Sequence, residues 1–189
     1  MEKKEKRWIQ DLVNCYKAGY PIVEIVSFEE TRVETELSRT FEELGVPFYA
    51  YSPARKLAGI FGQIRKSDGP ALFLVKDLHL YFGRIAVLRT IRDLLPRLHQ
   101  KQQCLALLCP FESVPVELSR EVIVVDVPLP SALAIGGSVS STYSDVTIPI
   151  SERQLEEVGE ALKGLTMEQA ARVLRKVLSP LSPVESLEL

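Results

Sequence analysis

The stretch ALFLVKDLHLYFG, residues 71 to 83, carries four apolar residues, Leu72 to Val75, straight into Lys76, Asp77 and His79. A carboxylate at the tip of a buried strand can hold magnesium or polarise a water, and a neighbouring imidazole can move protons. A triad would also need a placed nucleophile, and neither a GxSxG elbow nor a suitably placed cysteine accompanies Asp77 and His79. They are therefore weak catalytic candidates. The plainer expectation is that Asp77 caps the turn leaving the strand, with His79 at the rim of the sheet.

Asp77, His79, His99, Cys104 and Cys109 are also metal-ligand types. Cys104 and Cys109 lie in one apolar run, where five residues of extended chain separate them by about 16 Å at ~3.3 Å per residue. They also face opposite sides of the strand. Both are expected to be core residues, and no metal site is expected.

The other place for chemistry is SFEETRVE, residues 27 to 34, which follows the first apolar run. In an α/β sheet this first strand-to-helix turn is a natural phosphate cradle, because free backbone N–H groups and the helix dipole both favour an anion. A phosphate loop of the form GxxxxGK[ST] needs glycines for close backbone approach and a lysine to reach the phosphates. Here there is neither. Ser27 and Glu30 fit a capping box that would occupy the donors, and Glu29 and Glu30 add negative charge to the first turn. No nucleotide is expected to bind there.

The elements that would position these residues alternate in period. PIVEIV (21–26), VPFYAY (46–51), ALFLV (71–75), CLALLC (104–109) and VIVVDV (122–127) read as five strands. Their near-continuous apolar character suits a parallel sheet covered on both faces. Val33, Leu37, Phe41 and Leu44 mark one helix face; Ile85, Leu88, Ile91, Leu95 and Leu98 mark another, which Pro96 should kink or end early. An amphipathic helix with Trp8, Ile9, Leu12, Val13 and Tyr16 comes first. Residues 136–145, GGSVSSTYSD, read as a flexible linker. Two short helices follow, each opening with a capping box, Ser151 with Gln154 and Thr166 with Gln169. The tail from Pro180 is expected to fray. The division is thus an α/β core over 1–130, a linker over 131–150, and a small helical lid with its tail over 151–189.

Composition restricts the partners. The 189 residues are 46% hydrophobic and 25% charged, with a net charge of −2, which lacks the basic footprint of a nucleic-acid binder; Lys3, Lys4, Lys6 and Arg7 form only a local basic arm. MEKKEKRW has no apolar run after it, so no secretory signal is expected, and no apolar stretch approaches a membrane span. Three cysteines make no disulfide framework and point to a reducing compartment, the cytoplasm by default.

The order of parts resembles an AAA+ ATPase core and lid: five strands, VELSREVIVVDVPLP with its Pro-Leu-Pro turn, then ALKGLTMEQAARVL with a Gly-Leu-Thr capping element. More closely, AGYPIVEIVSFEETRVETEL, PALFLVKDLHLYF, LALLCPFESVPVEL and GLTMEQAARVL resemble the N-terminal half of uncharacterised AAA ATPases encoded in some algal plastids and many bacteria. The resemblance covers about residues 8 to 178. It implies a five-stranded parallel sheet of the P-loop ATPase type with helices on both faces, a degenerate domain lacking its Walker A loop, and an active ATPase domain following it. This chain departs from that family in stopping after the lid.

Carried over by position, the resemblance puts Lys76 where the magnesium acid stands and Asp77 at the second acid. A lysine has donors and no acceptor, so it cannot ligate magnesium. The water-orienting asparagine falls at Pro110 or Phe111, and Arg120 lies near the arginines that reach a neighbouring subunit. The resulting expectation is a non-catalytic module that needs no cofactor and packs against an AAA+ domain or a second copy. The alternative is a divergent nucleotide hydrolase, using ATP and magnesium at the strand C-termini through Asp77, His79 and Arg120. A plastid-encoded copy would work in the stroma.

Overall fold

The computed structural model describes residues 7–52, 57–142 and 151–178, and the chain divides into two compact units, Met1–Pro128 and Leu129–Leu189. The basic arm before Arg7 and the tail from Pro180 lie outside the described residues.

The first unit alternates helix and strand: α1 Arg7–Lys17, β1 Ile22–Val26, α2 Glu30–Glu43, β2 Phe48–Tyr51, α3 Leu57–Lys66 and β3 Ala71–Lys76. A 3-10 turn over Leu78–Tyr81, α4 Ile85–Lys101, β4 Gln103–Cys109 and β5 Val122–Asp126 complete it. The five strands are parallel in the order β2-β3-β4-β1-β5. This is the expected α/β architecture.

Both faces of the sheet are covered. Trp8, Leu12 and Val13 of α1 and Val33, Leu37 and Phe41 of α2 pack with Val23, Ile25, Leu72 and Leu108 on one side. Ile60 and Ile64 of α3 and Val87, Ile91, Leu94 and Leu98 of α4 pack with Phe73, Val75, Leu105 and Leu107 on the other. Cys104 belongs to the first core and Cys109 to the second, so the two thiols face opposite sides.

The helices differ from expectation in four details. Leu44 is not on the buried face of α2; it is the C-cap residue and half exposed. The buried stripe of α4 runs through Val87, Ile91, Leu94 and Leu98, while Ile85 points to solvent. Pro96 neither ends nor shortens α4, which continues to Lys101. Its missing N–H would have served the Arg92 carbonyl; both residues are exposed, so solvent can take that acceptor while Leu94 and Leu98 hold the helix down. Finally, α3 has no counterpart in the sequence reading. Gly59 and Gly62 weaken its helical signal, and its stability comes from burying Ile60, Phe61 and Ile64.

The second unit contains α5 Ala132–Thr142, α6 Glu152–Ala161 and α7 Met167–Leu178, packed around Ile135, Leu162, Ala170 and Leu174. Both capping boxes form: Ser151 with Gln154, and Thr166 with Gln169. The linker expected over 131–150 is instead helical from Ala132 to Thr142, while 143–150 lie outside the described residues. The small residues read as flexible in fact let two helices touch. A Cβ on Gly136 would lie 2.5 Å from the Leu155 carbonyl oxygen, and one on Gly159 would overlap that of Ala132.

Candidate functional site

The rim at the C-terminal ends of the strands is where the fold brings its candidate residues together. Sheet order places the ends of β3, β4 and β1 side by side. Hydrogen bonds of 2.9 Å join them beyond the ladder, from the Asp77 N–H to the Leu108 carbonyl and from the Ser27 N–H to the Cys109 carbonyl.

At the end of β1, the capping box expected between Ser27 and Glu30 is not formed. Glu29 is the N-cap residue of α2, and the Ser27 hydroxyl accepts a hydrogen bond of 3.0 Å from the Glu29 N–H. The turn closes one residue later than the sequence pattern suggests, because Glu29 turns inward instead of Ser27 reaching forward. Its carboxylate is buried and lies 2.5 Å from the Arg32 guanidinium, which also donates to the Pro128 carbonyl at 2.6 Å. A buried carboxylate thus stands at the start of α2, where an arriving phosphate would meet its negative charge.

The charge arrangement continues at β3. The Lys76 ammonium is 2.6 Å from Glu34 and 3.5 Å from Glu30, both on α2. The hydrogen bond to Glu34 is the main cause that raises the Lys76 pKa above the ordinary lysine value, opposed by partial burial and aided by both carboxylate charges. A lysine on the strand facing acids on the helix is the reverse of what magnesium and a triphosphate require.

Asp77 has a left-handed backbone, φ 51°, and heads the 3-10 turn. The expected capping does not occur, since its side chain makes no cap hydrogen bond. His79 lies two residues on, its ring edge against Phe111 with centroids 5.1 Å apart. Its Nδ1 is buried and has no hydrogen-bond partner among the described residues.

Arg120 does not join this rim. Val122 is in register with Ile22, Leu105 and Phe73, four residues before Asp77, and Arg120 lies two residues further back. Six residues of strand are about 20 Å, so Arg120 sits at the opposite edge of the sheet, exposed to solvent. The grouping of Asp77, His79 and Arg120 is therefore not made within the chain. His99 is also at that far edge, 3.9 Å from Glu121.

The sequence reading passed over Glu24. It is fully buried in the middle of β1, and its two oxygens accept the Ser113 N–H at 3.1 Å each; Oε1 also accepts the Ser113 hydroxyl at 2.5 Å. The signal was present as the one charged residue in IVEIV, a strand that should be covered on both faces. Glu24 fastens the loop between β4 and β5 over the core. Nearby, burial pushes the Cys109 thiol up to about 11, and burial raises Cys104 as well, so neither is a thiolate nucleophile at neutral pH. Among the described residues no group of three or more His, Cys, Asp or Glu could hold a metal ion, and no helix is long and apolar enough to cross a membrane.

A family model described as the N-terminal domain of SpoVK-like AAA ATPases matches residues 8–127. Curated relatives include an uncharacterised AAA domain-containing protein, ycf46, of Guillardia theta. The two are 25% identical over 201 residues, covering 96% of this chain and 40% of that protein. The ycf46 protein of Pyropia yezoensis is 22% identical, with 94% and 39% covered. The chain thus spans about two fifths of the length of these relatives.

Among solved structures, the Thermotoga maritima RuvB Holliday junction branch migration motor aligns with a TM-score of 0.64 at 13% identity, over 94% of this chain and 61% of RuvB. AMPPCP-bound DnaA from Aquifex aeolicus aligns at 0.61 and 14%, over 93% and 62%. At such identities the likeness is one of fold, that of the AAA+ P-loop ATPases.

Proposed function

This chain belongs to the family of SpoVK-like AAA ATPase N-terminal domains, and on that premise we propose that it is an ATPase-derived module without hydrolysis of its own, which works by packing against an active AAA+ domain. The observation that carries this reading is the Lys76 ammonium held by Glu34 and Glu30. Its position is the one a magnesium-binding acid would need, and a cation already occupies it. The buried Glu29–Arg32 pair supports the same conclusion from the phosphate side, because a triphosphate arriving there would meet a carboxylate.

The rival reading, a divergent nucleotide hydrolase at the strand C-termini, retains Asp77 and His79 but loses Arg120 to the far edge. With no ATP or magnesium required, the module's contribution is structural. Its three free cysteines suit a reducing compartment, and we propose the cytoplasm, or the stroma for a plastid-encoded copy.

Calorimetric titration with magnesium-ATP tests the reading. The expected result is no saturable binding at micromolar nucleotide and no phosphate release. Micromolar binding with magnesium-dependent hydrolysis, lost in Asp77→Ala, would overturn it.

A further inference from the structure

Three neighbouring strands each lead into a large apolar side chain turned to solvent. Just past the C-terminal ends of β3, β4 and β1 stand Leu80, Phe111 and Phe28, which are 71%, 55% and 75% exposed. Neighbouring strands lie about 4.8 Å apart, so these turns stand side by side along one rim. Ile85, 86% exposed at the start of α4, extends the row from the same loop as Leu80.

The row stands on a fixed frame. Its turns are joined by the Ser27-to-Cys109 and Asp77-to-Leu108 backbone bonds. The His79 ring braces Phe111 edge-on, and Glu24 anchors the loop carrying Phe111 through Ser113. Phe111 is thereby held at the rim. Exposed apolar side chains gathered along one rim in this way mark an interaction site.

The charges bordering the row indicate what covers it. Asp77, Glu112 and Asp126 lie on this rim without an ion pair among the described residues, against the cation Arg84, which lies over the Tyr81 ring. An apolar centre with an acidic edge repels a polyphosphate and suits a protein face that is apolar with lysine or arginine at its margin. The matched family is an N-terminal domain, and the Guillardia theta relative, named for its AAA domain, extends well beyond the 40% that this chain covers.

We propose that the Phe28–Phe111–Leu80–Ile85 row is the surface on which an AAA domain docks, through an apolar patch edged by basic residues. The inference rests on the module reading above and names the surface it uses. Docking here would also explain why the nucleotide machinery of this rim could be lost while the fold was kept, since the remaining role requires shape and apolar area, not phosphate chemistry.

The test places p-benzoylphenylalanine at position 28 or 111 of the full-length protein, in its own cell, with Tyr20 as the control site. Tyr20 is 40% exposed and precedes β1, at the opposite edge of the sheet. Irradiation should yield peptides from an AAA domain cross-linked to positions 28 and 111, at least tenfold above position 20. Leu80→Asp with Ile85→Asp should cut that yield at least fivefold with the melting temperature unchanged, since both residues are exposed.

Products confined to a second copy of the chain or to an unrelated protein, or no product, would overturn the proposal. Phosphate release measured on the purified chain keeps the two readings apart. Hydrolysis that requires Asp77 defeats the non-catalytic reading whatever the cross-links, whereas its absence together with a missing AAA cross-link defeats the docking surface alone.

Discussion

The Lys76 ammonium at the end of β3 lies 2.6 Å from the Glu34 carboxylate on α2, and this contact joins the strand to the helix that follows β1. Both side chains are partly exposed, Lys76 at 21% and Glu34 at 38%, so solvent screening limits the pair to about 0.2 to 1 kcal/mol. A double-mutant cycle with Lys76→Ala and Glu34→Ala, read by urea denaturation, should give a coupling energy in that range. A coupling indistinguishable from zero would mean that the pair does not hold α2 to the sheet.

The same contact makes stability depend on alkaline pH, and the buried thiol does so more strongly. Cys109 ordinarily titrates at 9.0 and is pushed up to about 11, chiefly by burial. A pKa raised in the folded state contributes stability that is fully present below 9 and lost as pH rises toward 11, because the unfolded chain gives up its proton first. Lys76, raised above its ordinary 10.5, acts in the same direction at higher pH. Unfolding free energies measured from pH 8 to 11 should fall, and Cys109→Ala should remove part of that slope, the buried Cys104 thiol supplying another part.

Removing the Glu24 carboxylate should loosen the β4–β5 loop. Glu24→Ala deprives the Ser113 N–H and hydroxyl of their acceptors, and unsatisfied buried groups cost about 1 to 3 kcal/mol. Hydrogen exchange across residues 110–121 should accelerate along with the loss of stability. Unchanged protection at Ser113 would contradict the anchoring role.

In the helical unit, Gly159→Ala should destabilise, because the added methyl would overlap the Ala132 carbonyl oxygen and α5 and α6 must separate to admit it. Overpacking of this kind costs about 1 to 3 kcal/mol. Gly137→Ala is the matched control: nothing lies within 4 Å of its Cβ, and the better helix propensity of alanine should stabilise by up to about 1 kcal/mol. Thermal unfolding of the two variants should shift in opposite directions.

At the start of α2, Arg32→Met should cost more than an exposed arginine would. It removes a charged donor from the Pro128 carbonyl and leaves the buried Glu29 without its cation. A loss of about 2 kcal/mol or more is expected by denaturant titration. Glu29→Gln combined with Arg32→Met should recover part of it, since the carboxylate then carries no charge to neutralise.

Much of this architecture is written in local pattern. Five apolar runs with helical periods between them require a sheet covered on both sides, and the helix starts at Ser151 and Thr166 are legible because a capping box lies within four residues. Local pattern misleads where one composition serves two structures. Gly136 reads equally as a hinge or as a close helix crossing, and only the position of Leu155 decides between them. Gly59 and Gly62 hide α3 because glycine weakens the helical signal, although nothing packs against either.

The sequence by itself determined the strand-and-helix alternation, the missing phosphate loop and the lysine at the end of β3, because each depends on residue type and neighbours in the chain. The tertiary structure alone decided which charges meet. Parallel register carries Arg120 to one edge of the sheet and Asp77 to the other. The packing of α2 beside β3 brings Glu34 to Lys76, and the fold over the core brings Ser113 to Glu24. Charges interact over ångströms of space and not along residues of chain, so the chemistry of the rim becomes readable only when the strands have been set side by side.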